Sequence, residues 1–317
     1  MTGESADAVV AEGVEKRFGR TRALTAMSFV VHTGELFGFI GPDGGGKTTL
    51  FRILTTLLVP DAGRARVLGL DVVRDLWTLR PKVGYMPGRF SLYPDLSVRE
   101  NLAFFAAVFG TTIERERAQI APIYRQLEPF ADRRAAALSG GMKQKLALCC
   151  ALVHRPVILF LDEPTTGVDA VSRREFWDLL GTLKQSGMTI AVSTPYMDEA
   201  NRCDRIALIQ RGRLLGIDTP SRIAASFDRP LLAVYAADRY RVLQALRDWP
   251  RAHAVYPSGE ALRYADVRAE APPDVVSADL RAFLDAHGFG DTRVETAEPT
   301  VEDVFIARMG AEGVEAP

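Results

Sequence analysis

The 317-residue sequence is poor in cysteine, has no excess of either charge and contains no long apolar run. Its three cysteines, Cys149, Cys150 and Cys203, are odd in number and lack the spacing of metal ligands. They therefore exclude a disulfide framework and are expected to be buried thiols. The 39 basic and 40 acidic residues give a net charge of −1. Nucleic-acid-binding proteins usually carry a basic excess, so this balance argues against a nucleic acid as partner.

The apolar segments are too short to cross a membrane. A run such as LALCCALV at 146–153 falls well below the ~18 apolar residues that a membrane-spanning helix needs. The first residues, MTGESADAVV, have neither the basic nor the apolar region of a signal peptide. We therefore expect a cytoplasmic protein whose contact with a membrane is peripheral and goes through a partner.

The chain length fits roughly two domains. Strand and helix patterns alternate from about residue 7 to about residue 225, which indicates an α/β core with a largely parallel sheet. The run VILFLD at 157–162 is continuously apolar, as expected for a strand buried on both faces. Residues of about 90–135 are mainly helical and interrupt the alternation, so we interpret them as an inserted helical subdomain.

A second domain is expected after about residue 228. The pattern restarts there in the order β-α-β-β-α-β-α, which fits a small α+β ferredoxin-like domain. We therefore divide the chain into residues 1–228 and 229–317, with a frayed tail over the last residues, GAEGVEAP. His253 and His287 stand alone in this part, which favours surface or packing roles over metal binding.

The most informative segment is the glycine-rich stretch 41–49, GPDGGGKTT, between a predicted strand and a predicted helix. It matches G-x-x-x-x-G-K-[ST] at Gly41, Gly46, Lys47 and Thr48. Glycines let backbone N–H groups turn inward onto phosphate oxygens. Lys47 adds a positive charge for the outer phosphates, and the Thr48 hydroxyl suits Mg²⁺. The pattern predicts a nucleotide phosphate site; the alternative is a glycine-rich turn without a ligand.

Two later segments narrow the chemistry. Residues 138–142, LSGGM, place two glycines after a serine at the start of an amphipathic helix, which makes a second anion-binding helix N-terminus. Residues 157–170, VILFLDEPTTGVDA, predict a buried strand that ends in Asp162 and Glu163. An acid at this strand end can hold Mg²⁺, and the next acid can activate a water for attack on the γ-phosphate.

In this order the motifs resemble those of the nucleotide-binding subunits of ABC transporters over about residues 8–225. GPDGGGKTT looks like the Walker A loop, LSGGM like the signature, VILFLDEP like the Walker B strand and TTGVDA like the D-loop, at Asp169. The resemblance implies a P-loop NTPase core, ATPase activity, and ATP and Mg²⁺ as ligands. Phe18, in VEKRFGRTRAL, matches the aromatic residue that stacks on adenine in this family; the alternative is a core phenylalanine.

Two stretches favour the exporters of drugs, lipids or polysaccharides whose permeases are separately encoded. Residues 298–306, EPTVEDVFI, resemble the terminal motif of their ATPase subunits, and residues 92–101, LYPDLSVREN, fit the same group. The resemblance implies an integral membrane permease as partner, contacted through the helical subdomain. It also implies a place on the inner face of the cell membrane.

In this family two cassettes pair head to tail, so that each ATP lies between the Walker A loop of one subunit and the signature of the other. Ser139, Gly140 and Gly141 are therefore expected to act on the partner's ATP. The resemblance assigns catalysis to Glu163 and Lys47, and Mg²⁺ to Thr48 and Asp162. It assigns nucleotide binding to Phe18, Gly41, Gly44, Gly46, Lys47, Thr48, Thr49, Ser139, Gly140, Gly141 and Asp169.

Three positions depart from the family pattern. Gly88 stands where relatives have the glutamine that touches Mg²⁺ and the attacking water, and Pro195 stands where they have the histidine that contacts the γ-phosphate. Neither side chain offers a polar group. Asp43 replaces the usual asparagine and adds like charge beside the phosphates. We expect a degenerate site that binds MgATP but hydrolyses it slowly, in a heterodimer with a second ATPase subunit. Tolerated substitutions and a homodimer are the alternatives.

Two other functions stay open from the sequence. One is a regulatory or structural subunit that binds ATP without useful turnover, which Gly88 and Pro195 favour. The other is a soluble ABC protein that acts on DNA or ribosomes rather than in transport. The balanced charge and the exporter-type C-terminal motif argue against it.

Overall fold

The computed structural model describes residues 7–88 and 92–312. Contacts divide the chain into two compact units between Pro220 and Ser221, slightly before the boundary expected at 228. The predicted start of the helical subdomain at about residue 90 and residues 313–317 of the predicted frayed tail lie outside the described residues. Residues 310–312 of that tail belong to the last helix, so the prediction is wrong for them. No helix within the described ranges is long and apolar enough to span a bilayer.

The described strands and helices follow one another along both units. The strands are β1 (Asp7–Phe18), β2 (Thr21–His32), β3 (Leu36–Ile40), β4 (Ala62–Val67), β5 (Leu70–Asp71), β6 (Val83–Met86), β7 (Ile158–Asp162), β8 (Thr189–Thr194), β9 (Arg205–Gln210), β10 (Arg213–Asp218), β11 (Leu231–Tyr235), β12 (Ala252–Ser258), β13 (Ala261–Asp266) and β14 (Arg293–Thr296). The helices are α1 (Lys47–Leu54), α2 (Leu76–Leu79), α3 (Val98–Val108), α4 (Ile113–Tyr124), α5 (Gly140–Leu152), α6 (Ala170–Gln185), α7 (Pro220–Ala225), α8 (Arg239–Arg247), α9 (Pro273–Ala286) and α10 (Val301–Glu312).

The first unit is built on a six-stranded sheet in the order β10-β9-β3-β8-β7-β6, in which only the β10–β9 pair is antiparallel. β3, β7 and β8 are buried along their whole length, as expected for the inner strands of a parallel sheet that is covered on both faces. The carboxyl ends of parallel strands share one edge, which is where such sheets bind ligands. The phosphate loop after β3, the acids at the end of β7 and the segment after β8 therefore meet at this edge. The expected α/β P-loop core is confirmed.

A second sheet in the first unit, in the order β2-β1-β4-β5, is antiparallel throughout and was not foreseen in the sequence. Its pairing shifts register at several points, one of them around Gly13, whose φ is +59°. Each shift breaks the period-two alternation that identifies a strand in a sequence. Buried residues of this sheet, such as Met27 and Phe29, join α1 in one apolar core.

The inserted helices α3 and α4 each begin at a side-chain cap. Ser97 and Glu100 form a reciprocal capping box at the start of α3, and Thr112 caps α4. Asn101 is fully buried, and its amide donates to the carbonyls of Tyr93, Leu96 and Ser97. This network gives the stretch 92–101 a structural role, because it fixes the loop that leads into α3.

The second unit is a four-stranded antiparallel sheet in the order β12-β13-β11-β14, with α8 and α9 packed on its apolar residues. The element order and the strand order are those of a ferredoxin-like domain, as expected. Asp303, in the first turn of α10, is buried and accepts hydrogen bonds from Arg263, Tyr256 and Thr300. The EPTVEDVFI motif therefore anchors the last helix to the sheet of its own domain.

Candidate functional site

The phosphate loop runs from the end of β3 to the start of α1, and two of its glycines are sterically required. Gly46 has φ +102° at the N-terminus of α1, and a Cβ there would lie 2.6 Å from the Ala23 carbonyl oxygen. A Cβ on Gly41 would lie 2.0 Å from the carbonyl oxygen of Ile209. The loop is also tied down by Gly212, whose N–H donates to the Gly45 carbonyl at 2.9 Å. The residue types at 41 and 46 are thus set by space as well as by phosphate binding.

Lys47 is the buried cation of the loop, with only 2% of its surface exposed. Its Nζ donates to the carbonyl oxygens of Gly41 at 2.7 Å and Pro42 at 2.9 Å, and lies 3.2 Å from Glu163 Oε1. Two residues that the sequence assigned to catalysis, 116 positions apart, are therefore in direct contact. Phosphate oxygens would compete with the Glu163 carboxylate for the same ammonium group.

The two acids at the end of β7 are held by β8. Asp162 is 1% exposed, and its Oδ1 accepts from the Ser193 hydroxyl at 2.5 Å. The N–H of Glu163 donates to both the carbonyl oxygen and the hydroxyl of Ser193, each at 3.0 Å. Glu163 has φ +50°, a left-handed conformation that costs a non-glycine residue about 1–3 kcal/mol. The hydrogen bonds that the Glu163 N–H donates to Ser193 offset this strain.

Two cavities flank these groups. One of about 510 Å³ holds the Walker B side of the site, and one of about 340 Å³ runs along the phosphate loop. The first is lined by Thr48, Arg52, Tyr85, Pro87, Gly88, Asp162 and Glu163. The second is lined by Thr21, Arg22, Ala23, Gly44, Gly45, Gly46, Lys47, Thr48, Thr49, Glu163 and Arg211. Thr48 and Glu163 line both, so the two cavities adjoin at the position predicted for the outer phosphates.

The donor set in the larger cavity suits Mg²⁺. The Thr48 hydroxyl and the Asp162 carboxylate line the same space, and Asp162 Oδ1 already accepts from Ser193. Mg²⁺ prefers hard oxygen ligands and binds proteins through one or two carboxylates while it keeps waters and phosphate oxygens. Thr48 and Asp162 therefore fit the ion that the sequence predicts, with the remaining ligands left to water and nucleotide.

Of the three departures from the family pattern, Gly88 lines the same cavity, whereas Pro195 and Asp43 do not. A Cβ on Gly88 would lie 3.0 Å from the Asp162 carbonyl oxygen and 3.6 Å from Glu163 Cβ. Gly88 thus places no side chain beside Asp162 and Glu163. Pro195 is half-buried immediately after Thr194, the last residue of β8, and Asp43 is exposed on the phosphate loop.

Phe18 is the last residue of β1 and is 51% exposed, so it is not a core residue. The Lys16 ammonium lies 5.8 Å from the centre of its ring. An exposed ring at a strand end is available to a planar base. Adenine stacking on Phe18 stays a prediction.

The signature and D-loop residues have structural roles at two helix N-termini. Ser139 caps α5 by accepting from the Met142 N–H at 3.3 Å, and a Cβ on Gly141 would lie 2.6 Å from Ser172. Asp169 caps α6, and the Ser172 N–H lowers the pKa of its carboxyl group. Ser139, Gly140, Gly141 and Asp169 are not among the described residues that line the two cavities.

Several residues at the site were missed in the sequence. Arg52 belongs to no motif, although it follows Thr48 by one helical turn and therefore shares its face of α1. Ser193 stands two residues before Pro195, in the segment compared with the family pattern, but no role was predicted for it. Tyr85 lines the larger cavity; burial and the nearby Asp162 carboxylate raise its pKa to about 12. Within the described residues its hydroxyl has no hydrogen-bond partner.

Comparison with known proteins finds similar sequences and similar structures. A family model described as ABC transporter matches residues 24–166. The probable multidrug ABC transporter ATP-binding protein YbhF of Escherichia coli (strain K12) is 41% identical over 254 residues, which cover 78% of this chain and 43% of that protein. The Nod factor export ATP-binding protein I of Burkholderia orbicola (strain AU 1054) is 37% identical over 305 residues, which cover 94% of this chain and 96% of that protein.

Among solved structures, a dimeric structure of a post-hydrolysis state of the ATP-binding cassette MJ0796, bound to ADP and Pi, has a TM-score of 0.60. It is 26% identical and covers 67% of this chain and 98% of that chain. Of the two relatives above, the chain spans less than half the length of the E. coli protein and nearly the whole length of the Burkholderia protein.

Proposed function

Because this chain belongs to the family of ATP-binding proteins of ABC transporters, we propose that it binds MgATP and couples ATP binding and hydrolysis to an export permease. The observation that carries the proposal is the meeting of Lys47, Thr48, Asp162 and Glu163 around two adjoining cavities, with Lys47 Nζ 3.2 Å from Glu163 Oε1. Relatives that are named for Nod factor export and multidrug transport support the proposed role in export.

The proposed chemistry uses each of these groups once. The loop N–H groups and Lys47 bind the outer phosphates, and the phosphates displace the Glu163 carboxylate from the ammonium group. Glu163 then accepts the proton of the attacking water as a general base. Thr48 and Asp162 hold Mg²⁺, which neutralises phosphate charge.

Hydrolysis by this site alone is slow in our proposal. Gly88 and Pro195 supply no polar side chain beside the attacking water or the γ-phosphate. Loss of one preorganised donor of this kind typically lowers a rate by about 10²–10³-fold. Nucleotide binding is largely spared, because the loop, Lys47, Thr48 and Asp162 are all present.

The proposed partner within the ATPase is a second cassette. Ser139 and Gly140 are exposed and do not line the phosphate cavities of their own chain, as described above. They are therefore free to face the ATP of another subunit, as the family resemblance implies. A heterodimer with one complete and one weak site is favoured, because the signature of this chain is intact while positions 88 and 195 are not; a homodimer is the alternative.

The proposed permease contact is an apolar groove of about 430 Å³ in the first unit, where α3 meets the α/β core. Leu57, Phe105, Val108 and Phe109 line it, and Val108 is 62% exposed. Tyr85 and Pro87 line both this groove and the larger catalytic cavity. A permease segment seated in the groove would thus press on residues that also border the catalytic acids. This contact would hold the chain at the inner face of the membrane.

Nucleotide binding is tested on the purified full-length chain with a fluorescent ATP analogue. We expect saturable, Mg²⁺-dependent binding that Lys47→Ala abolishes. Lys184→Ala is the matched control, because Lys184 pairs with Asp204 elsewhere in the chain. Binding that survives Lys47→Ala would contradict the assignment of the site.

The permease contact is tested by the amount of chain recovered with membranes from its own cells. Val108→Asp should lower that amount while nucleotide binding by the purified variant stays unchanged. Val73→Asp, an exposed valine that does not line the groove, is the control. Equal recovery of both variants with membranes would reject the groove as the contact.

A regulatory subunit that binds ATP without turnover is the second candidate, and the lack of polar side chains at Gly88 and Pro195 favours it. The two functions are distinguished by whether the ATP bound to this chain is hydrolysed when the partner ATPase is present. An export ATPase hydrolyses ATP in its own site during transport, whereas the regulatory subunit retains unhydrolysed ATP.

A further inference from the structure

Glu199 is a buried carboxylate that the proposed mechanism does not use. It lies in the 3₁₀ turn Met197–Arg202 that follows β8, and it is 3% exposed. An ionised acid in such a position needs hydrogen-bond partners, because burial removes its hydration. Two threonine hydroxyls supply them.

These two hydroxyls come from the segments on either side of the catalytic acids. Thr165 Oγ1 donates to Glu199 Oε1 at 2.8 Å, and Thr194 Oγ1 donates to Oε2 at 2.5 Å. The Tyr196 N–H in turn donates to Thr194 Oγ1 at 3.1 Å. Arg173 Nε lies 3.9 Å from Oε1 and offers partial charge compensation. One carboxylate therefore ties the chain after β7 to the chain after β8.

The segment after β7, which Glu199 holds through Thr165, contains one strained backbone position. Glu163, two residues before Thr165, has φ +50° and is held on one side by its bonds to Ser193. On the other side, the Thr166 N–H donates back to the Glu163 carbonyl oxygen at 3.2 Å. Thr165 is the next polar side chain along, and Glu199 is the acceptor that fixes it. Pro195 contributes no polar side chain to this edge.

We infer that Glu199 is a positioning residue for the ATPase reaction, which keeps the Glu163 carboxylate aligned by clamping Thr165 to the end of β8. The inference rests on the proposed function, because it takes Glu163 as the general base. The clamp acts on the chemical step and not on nucleotide affinity, since neither Glu199 nor Thr165 lines the two phosphate cavities.

The test is single-turnover ATP hydrolysis with the full-length chain in excess, alongside the dissociation constant for MgATP. Thr165→Val keeps the shape of the side chain and removes the hydroxyl donor, whereas Thr165→Ser keeps the donor. We expect Thr165→Val to slow hydrolysis roughly 10- to 100-fold, the effect of losing a hydrogen bond to a charged group, with unchanged MgATP affinity. Thr165→Ser should retain the wild-type rate.

Glu199→Gln provides a second variant that reports on the same clamp. Its amide can serve only one of the two hydroxyls as an acceptor, so it should also slow hydrolysis at unchanged affinity. Glu35→Gln is the matched control, because Glu35 is a buried carboxylate that precedes β3 and so lies at the opposite end of the same sheet. Glu35→Gln should lower the melting temperature while the single-turnover rate stays at the wild-type value.

A wild-type rate in Thr165→Val, or an equal loss of rate and affinity, would overturn the positioning role. If the wild-type chain binds no MgATP, the proposed function fails separately. The clamp is then measured by hydrogen exchange of the backbone amides at 163–168. Faster exchange in Glu199→Gln but not in Glu35→Gln supports it, and equal exchange in both overturns it.

Discussion

Restoring the two absent side chains should convert the site from a slow one into a fast one. The perturbation is the double variant Gly88→Gln with Pro195→His, which places an amide beside the attacking water and an imidazole near the γ-phosphate. The structure gives the amide room, because Gly88 borders a cavity of about 510 Å³ that also contains Asp162 and Glu163.

The backbone conformation at Gly88 admits a side chain, and the added Cβ is tight against one main-chain oxygen. Gly88 is outside the left-handed region, so a glutamine there has no conformational penalty of that kind. Its Cβ would lie 3.0 Å from the Asp162 carbonyl oxygen, so a shift of a few tenths of an ångström is enough to relieve the contact. One preorganised donor is typically worth about 10²–10³-fold in rate, so the double variant should hydrolyse ATP at least about 10²-fold faster than the natural chain.

The assay is phosphate release by the purified chain at saturating MgATP, with the dissociation constant measured on the same preparations. Gly88→Ala with Pro195→Ala is the matched control, since it introduces the same Cβ contact without a polar group. Glu163→Gln added to the double variant should abolish the gain. No increase in turnover, in a double variant that still binds MgATP, would refute the explanation of slow hydrolysis.

Three further outcomes follow from the packing and the ionisation of side chains. Gly46→Ala should lose nucleotide binding in the same fluorescence titration, because its Cβ would lie 2.6 Å from the Ala23 carbonyl oxygen; wild-type affinity would contradict the steric account. The three thiols are buried, which raises their pKa, so the folded chain should not react with a thiol reagent until it is denatured; fast labelling would contradict it. Burial alone raises the pKa of Asp303, but hydrogen bonds from Arg263, Tyr256 and Thr300 outweigh it and lower the pKa. The resulting stability is present above the unfolded pKa of about 4 and is lost as the pH falls through the folded value. In Asp303→Asn the free energy of unfolding should therefore fall less steeply as the pH is lowered below about 4. A pH dependence equal to that of the natural chain would contradict the account.

The phosphate loop and the Walker B acids were predictable because their signals are local. Gly41, Gly46, Lys47 and Thr48 lie within eight positions, and the apolar run before Asp162 identifies a buried strand by itself. The ferredoxin-like order was predictable for a similar reason, since its strands and helices alternate clearly.

The contacts that were not predictable join positions far apart in the sequence. Glu199 meets Thr165 across 34 positions, and Ser193 meets Asp162 across 31. Such a pair cannot be predicted from a local residue pattern, because it depends on β7 and β8 being neighbours in the sheet. The antiparallel sheet escaped notice for a local reason, because register shifts around Gly13 interrupt its alternation.

The central claim is that the natural site binds MgATP but hydrolyses it slowly. The most direct measurement follows radiolabelled ATP bound to an excess of the full-length chain and determines, over time, how much of the bound label is still ATP. We predict that the bound label stays ATP long after binding is complete, that Lys47→Ala prevents binding, and that Gly88→Gln with Pro195→His speeds conversion to ADP. Rapid conversion by the natural chain, abolished by Glu163→Gln, would contradict the claim.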